Sequence, residues 1–443
     1  MLFTTWNFWL FLAVVLAAFY AAPRPARRYI LLAASIYFYM SWNPRFVLLL
    51  VTLITVDYFA AQWIEARTGP ARHLALTLSL VANLGFLAYF KYANFLLSGL
   101  IHLDVILPLG ISFHTFQSIS YVVDVYRGKQ PAIRRYTDYA LYVAFFPQLV
   151  AGPIVRARNF FDDLFEWQPP TQEEVQRGAT QAVFGLAKKL ICADQFALIA
   201  DQYFNSPAPG YLTAWTGAIA FALQIYFDFS GYTDIAIGTA LLFGFHFPEN
   251  FRRPYLAPSI TDFWRRWHIS LSTGLRDYLY IPLGGNRLGT IRTYRNLLIT
   301  MTLGGLWHGA SWNFVIWGAY HGILLSLERI ILGKGDQPRV LRPLTTLLTF
   351  AMVTIGWVFF RAKTFAAATY TIHQMLQPVA GRSLFTKWHW YLAAITLAIA
   401  MTKEVFERAL PANLRAPAIV LMLLAIELLG VTDRHLPFVY FQF

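Results

Sequence analysis

Apolar segments recur along this chain from one end to the other, and that recurrence constrains the fold more than any single residue does. They fall near residues 6–22, 28–41, 46–63, 74–90, 104–123, 136–150, 178–200, 211–227, 230–245, 297–309, 311–332, 343–360, 388–402 and 416–431. A hydrocarbon layer about 30 Å thick is crossed by about 20 apolar residues in a helix, and inside it every backbone polar group must be paired within the chain. The pattern therefore predicts an all-α, polytopic membrane bundle with about eleven spanning helices. Several segments are too short to span alone. The segment 136–150 runs into FFPQLVAGPIVR, where Pro147, Gly152 and Pro153 break it, and 230–245 follows DFSGYTD. Interrupted pieces survive at membrane depth only where protein or a water-filled cavity satisfies their backbone, so re-entrant and interfacial helices around a funnel-like interior are expected. No internal repeat, low-complexity tract or linker divides the chain, and a single domain over residues 1–443 is expected.

Composition removes several function classes. Hydrophobic residues make up 57% of the 443 and charged residues only 13%, which leaves no room for a large soluble domain. One cysteine, Cys192, rules out an intramolecular disulfide framework and argues against a thiolate metal site. A net charge of +13 resembles a nucleic-acid signal, but in a membrane chain it reflects cytoplasmic loops facing anionic lipid, and nucleic acid is rejected as a partner. The first apolar run has no basic residue before it and is followed by Arg24, Arg27 and Arg28. It reads as a first transmembrane helix rather than a cleaved signal peptide, with the N-terminus outside.

Between residues 252 and 295 eight arginines stand against Asp262 and Asp277 alone, so this loop is predicted cytoplasmic. Within it Ser259 and Asp262 form a capping signal behind Pro258, and Pro282, Gly284 and Gly285 form a stop. One amphipathic helix at the membrane surface is predicted, with Trp264, His268 and Leu271 on one face and Arg265, Arg266 and Arg276 projecting elsewhere. Such a helix could be a plain interfacial anchor, but an anchor has no need of an inward histidine beside Trp264 and Trp267. A second histidine, His308, lies in TLGGLWHGASW, where Gly305 and Gly309 have the spacing that lets another backbone approach. Ionisable residues inside a membrane are functional candidates by default, and burial among aromatics should hold an imidazole neutral, the state a general base needs. His321, in WGAYHGILL, is the one serious competitor. His73, His102, His373, His389 and His435 sit near segment ends, and His114 and His246 near breaks. No metal-ligand spacing, nucleophile elbow or phosphate loop is found, so no metal is expected.

Four stretches, SITDFWRRWHISLSTGLRDYLYIPLGGNR, MTLGGLWHGASWNFVIWGAYHG, FFPQLVAGPIVR and QIYFDFSGYTDIAIG, closely resemble signatures of the membrane-bound O-acyltransferase superfamily, in particular its bacterial alginate O-acetyltransferase branch. The likeness covers nearly the whole chain. It implies a bundle around a central tunnel that receives an acyl donor from the cytoplasm and serves an acceptor on the other face. It places the family's deep histidine on His308 and the histidine of its W-R-R-W-H segment on His268. It further implies a bacterial inner-membrane enzyme that acetylates an extracytoplasmic polysaccharide such as alginate, with a periplasmic SGNH-type acetyltransferase as partner. Acetyl-CoA is the expected donor, its phosphates falling to Arg265, Arg266 and Arg276. Trp264, Trp267, Trp307, Trp312 and His321 are expected to line the tunnel and keep water out. Two rival readings remain: D-alanyl transfer to teichoic acid from a carrier protein, and a proton-coupled transporter whose histidines relay protons.

Overall fold

The computed structural model describes residues 1–98, 100, 103–149, 152–332, 339–395, 410–432 and 436–439. Among these residues every regular element is helical. Five helices are individually long and apolar enough to cross a membrane: Phe46–Ala66, Gly69–Leu96, Trp312–Leu332, Arg342–Arg361 and Ala412–Leu429. The helix Trp6–Ala21 is apolar but shorter. The chain is a multi-pass membrane protein of the all-helical class, as the recurring apolar segments require.

The fold divides into two compact units, one made of residues 1–182 and 232–248, the other of 183–231 and 249–443. In the first, polar groups lock apolar helices together. Asp57, buried in Phe46–Ala66, accepts from the Ser79 hydroxyl at 2.6 Å and the Asn83 amide at 2.8 Å, both on the next helix. A polar side chain buried this way is stabilising only because its partners are present. The helix Tyr136–Ala144 stops at Phe145 and resumes over Phe146–Leu149, buried from Asp138 onward. This is the break expected at FFPQLVAGPIVR, since Pro147 has no N–H to give its predecessor turn.

The expected interruption at DFSGYTD does not occur: Tyr211–Leu242 is one helix of 32 residues. Its buried polar side chains are met by the preceding helical stretch, the helix Gln172–Ala187 and the wider π-type turn Lys188–Ala193. Asp228 pairs with Lys189 at 2.8 Å, Lys189 also takes Asp194 at 2.5 Å, and Gln181 donates to Asp234 at 3.2 Å. Gly231 lies so close to the carbonyl of Gly185 that a Cβ would fall 2.7 Å from it. Residues that look like a break are the contact surface between two helices.

The second unit is built around the antiparallel hairpin of Thr290–His308 and Trp312–Leu332. Glycines set its spacing. A Cβ on Gly305 would sit 2.2 Å from the carbonyl oxygen of Phe314, and one on Gly318 2.2 Å from that of Met301. The close approach predicted from Gly305 and Gly309 is therefore made at Gly305, against the very next helix, while Gly309 ends the first helix and faces the ring of Phe314. Arg342–Arg361 packs against Trp312–Leu332, and its Phe360 also meets His308 on the first hairpin helix.

Candidate active site

The capping signal at Ser259 works as read: its side chain accepts from the N–H of Asp262 at 3.1 Å and starts the helix Ile260–Arg266. The carboxylate of Glu328 adds a second cap from the hairpin, accepting from the N–H groups of Ile260 at 2.6 Å and Thr261 at 3.3 Å. The single amphipathic helix expected over this stretch is, however, two. Ile260–Arg266 ends at Trp267, and a second helix, Ile269–Leu275, begins after His268 and runs through a π-type turn, Arg276–Tyr280. The hinge is His268 itself, at φ 43° and ψ 55°, in the left-handed region that costs a non-glycine residue about 1–3 kcal/mol. Trp264 and His268 accordingly do not share a continuous helical face.

The break turns His268 fully inward. Its ring meets Phe229 edge-on at 4.7 Å between centroids, and its Nδ1 lies 3.3 Å from Oδ1 of Asn250. The ring of His308, at the last position of its helix, stands 6.5 Å from that of His268. Around His308 are Trp307 at 5.0 Å, Trp317 at 5.3 Å and Phe360 at 5.3 Å. The two histidines singled out from sequence are thus neighbours, 40 residues apart in the chain and both buried within one aromatic shell.

His321 is also buried, 5.0 Å from Trp317 and 5.2 Å from Trp264, so Trp317 has an imidazole on either side. Gly356 leaves just enough room for it, since a Cβ there would come within 2.9 Å of Nε2. Trp267 is buried against Phe251, Phe263 and Trp357 at 5.0, 5.6 and 4.9 Å. Trp312 is the correction: it is 68% exposed, and the shielding expected from it comes from Trp317 and Phe360 instead. Of the arginines, Arg266 pairs with Asp262 and Arg276 with Asp277, each at 2.7 Å, and Arg265 is exposed. Of the remaining histidines, His246 bridges Asp163 and Glu174, His73 meets the hydroxyl of Tyr126, His373 the amide of Gln377 and His389 the hydroxyl of Thr386; His114 is buried with no hydrogen-bond partner for either ring nitrogen among the described residues, and His102 and His435 lie outside those residues.

In this multi-pass helical membrane protein two buried imidazoles thus lie 6.5 Å apart beside apolar walls, an arrangement able to handle a proton away from bulk water. Comparison with known proteins names the class. The model of the membrane-bound O-acyltransferase family matches residues 73–369, and the chain belongs to that family. It is 48% identical over 377 residues to the probable alginate O-acetylase AlgI of Pseudomonas aeruginosa, covering 81% of this chain and 71% of that one. It is 39% identical over 384 residues to the peptidoglycan O-acetyltransferase of Helicobacter pylori, covering 78% and 73%. Similarity to the teichoic acid D-alanyltransferase of Bacillus subtilis is lower, 28% over 279 residues, or 58% of this chain and 69% of that one.

Proposed function

We propose that this acyltransferase moves acetyl groups from a cytoplasmic thioester, acetyl-CoA, across a bacterial inner membrane for O-acetylation of an extracytoplasmic polysaccharide such as alginate. The observation that carries the reading is the facing pair His268 and His308, enclosed by Trp307, Trp317, Phe360 and Phe229. Acetyl transfer breaks the C–S bond of the donor and forms a C–O bond to the acceptor, and one proton passes from the acceptor hydroxyl to the leaving thiolate. A neutral imidazole at His308 takes that proton, a role worth ~10²–10⁴ in rate, or carries the acetyl group in transit. His268 assists from the adjacent wall. The apolar shell keeps water from hydrolysing the donor.

On this reading Arg265, Arg266 and Arg276 receive the donor's phosphates at the cytoplasmic mouth, Arg266 and Arg276 exchanging their aspartate partners for phosphate oxygens. The N-terminus lies on the periplasmic side, and a periplasmic SGNH-type acetyltransferase takes over the acetyl group. The identities favour O-acetyl over D-alanyl transfer, since the acetyltransferase relatives match more of the chain and match it better. In proteoliposomes supplied with labelled acetyl-CoA, the periplasmic SGNH-type partner and polymer, His308→Ala should lower acetyl transfer by ~10²-fold or more at unchanged expression and melting temperature. Undiminished transfer by that variant would refute the assignment, and movement of an unmodified substrate without acylation would favour a transporter.

A further inference from the structure

Asn250 lies 18 residues before His268, outside every motif the sequence offers, yet it makes four contacts with the hinge. Its backbone carbonyl accepts the N–H of Ile269 at 2.9 Å. Its side-chain Oδ1 accepts the N–H of Ser270 at 3.1 Å and the Ser270 hydroxyl at 2.9 Å, and lies 3.3 Å from Nδ1 of His268. His268 occupies the N-cap position of Ile269–Leu275 without capping it, so Asn250 supplies from another segment the acceptors that the helix start needs.

The same contacts determine where the ring proton sits. The N–H of Ser270 can only donate, so the Asn250 atom facing it is the amide oxygen and not the nitrogen. An amide oxygen only accepts. Nδ1 of His268 must therefore be the donor in their contact, which makes Nε2 the lone-pair nitrogen of a neutral ring. We infer that Asn250 is a positioning residue that holds His268 as the Nδ1–H tautomer, with Nε2 as its basic nitrogen. The functional part of this inference rests on the assisting role proposed for His268, while the tautomer itself is a property of the resting protein.

Magic-angle-spinning NMR of protein labelled with ¹⁵N-histidine, in lipid nanodiscs, tests it directly, with the His268 resonances assigned by their loss in His268→Gln. The expected result is a protonated Nδ1 and a bare Nε2 in the wild type, and a mixed population in Asn250→Ala. Acetyl transfer should fall ~10–100-fold in Asn250→Ala and recover to within about threefold of wild type in Asn250→Asp, which keeps an acceptor at the same place. In the His268→Gln background Asn250→Ala should cost nothing further. An Nε2–H tautomer in an enzyme that His268→Gln impairs, or an equal additional loss in the double variant, would reduce Asn250 to a helix cap and overturn the inference alone. Full activity of His268→Gln would overturn the assisting role of His268 and the functional part of the inference together.

Discussion

A histidine in the left-handed region costs about 1–3 kcal/mol, and at this hinge it places the His268 ring 6.5 Å from that of His308. His268 and His308 were legible from their chemistry: an ionisable side chain in apolar surroundings needs a reason. Their partners were not. Asn250 carries no local signal, because its acceptors are used by residues that only folding brings near. Trp317 was missed for a related reason. Chain proximity favoured Trp312, four residues from His308, but the chain reverses between them, and the glycine contact of Gly318 with Met301 brings the neighbouring Trp317 into the shell. Trp317→Ala should cost about 3–5 kcal/mol, read as a lower melting temperature in detergent. Trp317→Phe keeps a ring at the site and should remain folded, but should release a larger share of acetyl as free acetate, measurable by comparing acetate production with polymer-bound label.

Among the helices, small residues and buried charges set the tolerances. Gly305→Ala would push a methyl group into the backbone of the facing helix, where no side chain can swing away, and overpacking of this kind costs about 1–3 kcal/mol. Gly85, also helical, has nothing within 4 Å of its would-be Cβ. Gly85→Ala should be neutral or stabilising by up to about 1 kcal/mol, so thermal melts of the two variants should shift in opposite directions or only Gly305→Ala should shift. Lys189 stands between Asp194 and Asp228, all three nearly excluded from solvent. Lys189→Met would leave two buried carboxylates together and should destabilise the protein by about 3–5 kcal/mol, seen as poor recovery from the membrane and a lowered melting temperature. The sequence signature DFSGYTD was visible, but its meaning was inverted. Ser, Gly and Asp weaken an isolated helix, and only the partners on the preceding helix make them its contact face.

For the molecule as a whole, a pH dependence of stability is expected from a clasp built on His246, 22 residues before His268 in the chain. His246 donates its backbone N–H to Asp163 and sets its two ring nitrogens against Asp163 at 3.1 Å and Glu174 at 3.2 Å. Partial burial opposes its charge, but the hydrogen bonds and charges of Asp163 and Glu174 outweigh this and raise its pKa above 6.5. The N–H of Thr171, followed by His246, draws the pKa of Glu174 down to about 2. A raised histidine stabilises fully below its unfolded value and loses that contribution as pH rises through the folded one. A lowered carboxylate stabilises above its unfolded value of 4.5 and loses its contribution toward pH 2. Melting temperature should therefore be highest between about pH 4.5 and 6.5 and decline on the alkaline side, a decline that His246→Gln removes and that high salt weakens because the clasp is half exposed.

What the amino-acid order determined by itself was the solvent and the class: repeated apolar segments of bilayer length permit only a helical membrane bundle, because lipid offers no partner for an open backbone. The same order marked the helix start at Ser259 and the two histidines, since caps and buried titratable groups are recognised locally. Tertiary structure alone decided that the predicted surface helix bends at His268, that DFSGYTD stays helical, and that Asn250, Trp317 and Phe360 come to lie against the two histidines. Each of these depends on a hydrogen bond or a ring contact between residues distant in the chain, and no local preference encodes a partner that has not yet arrived.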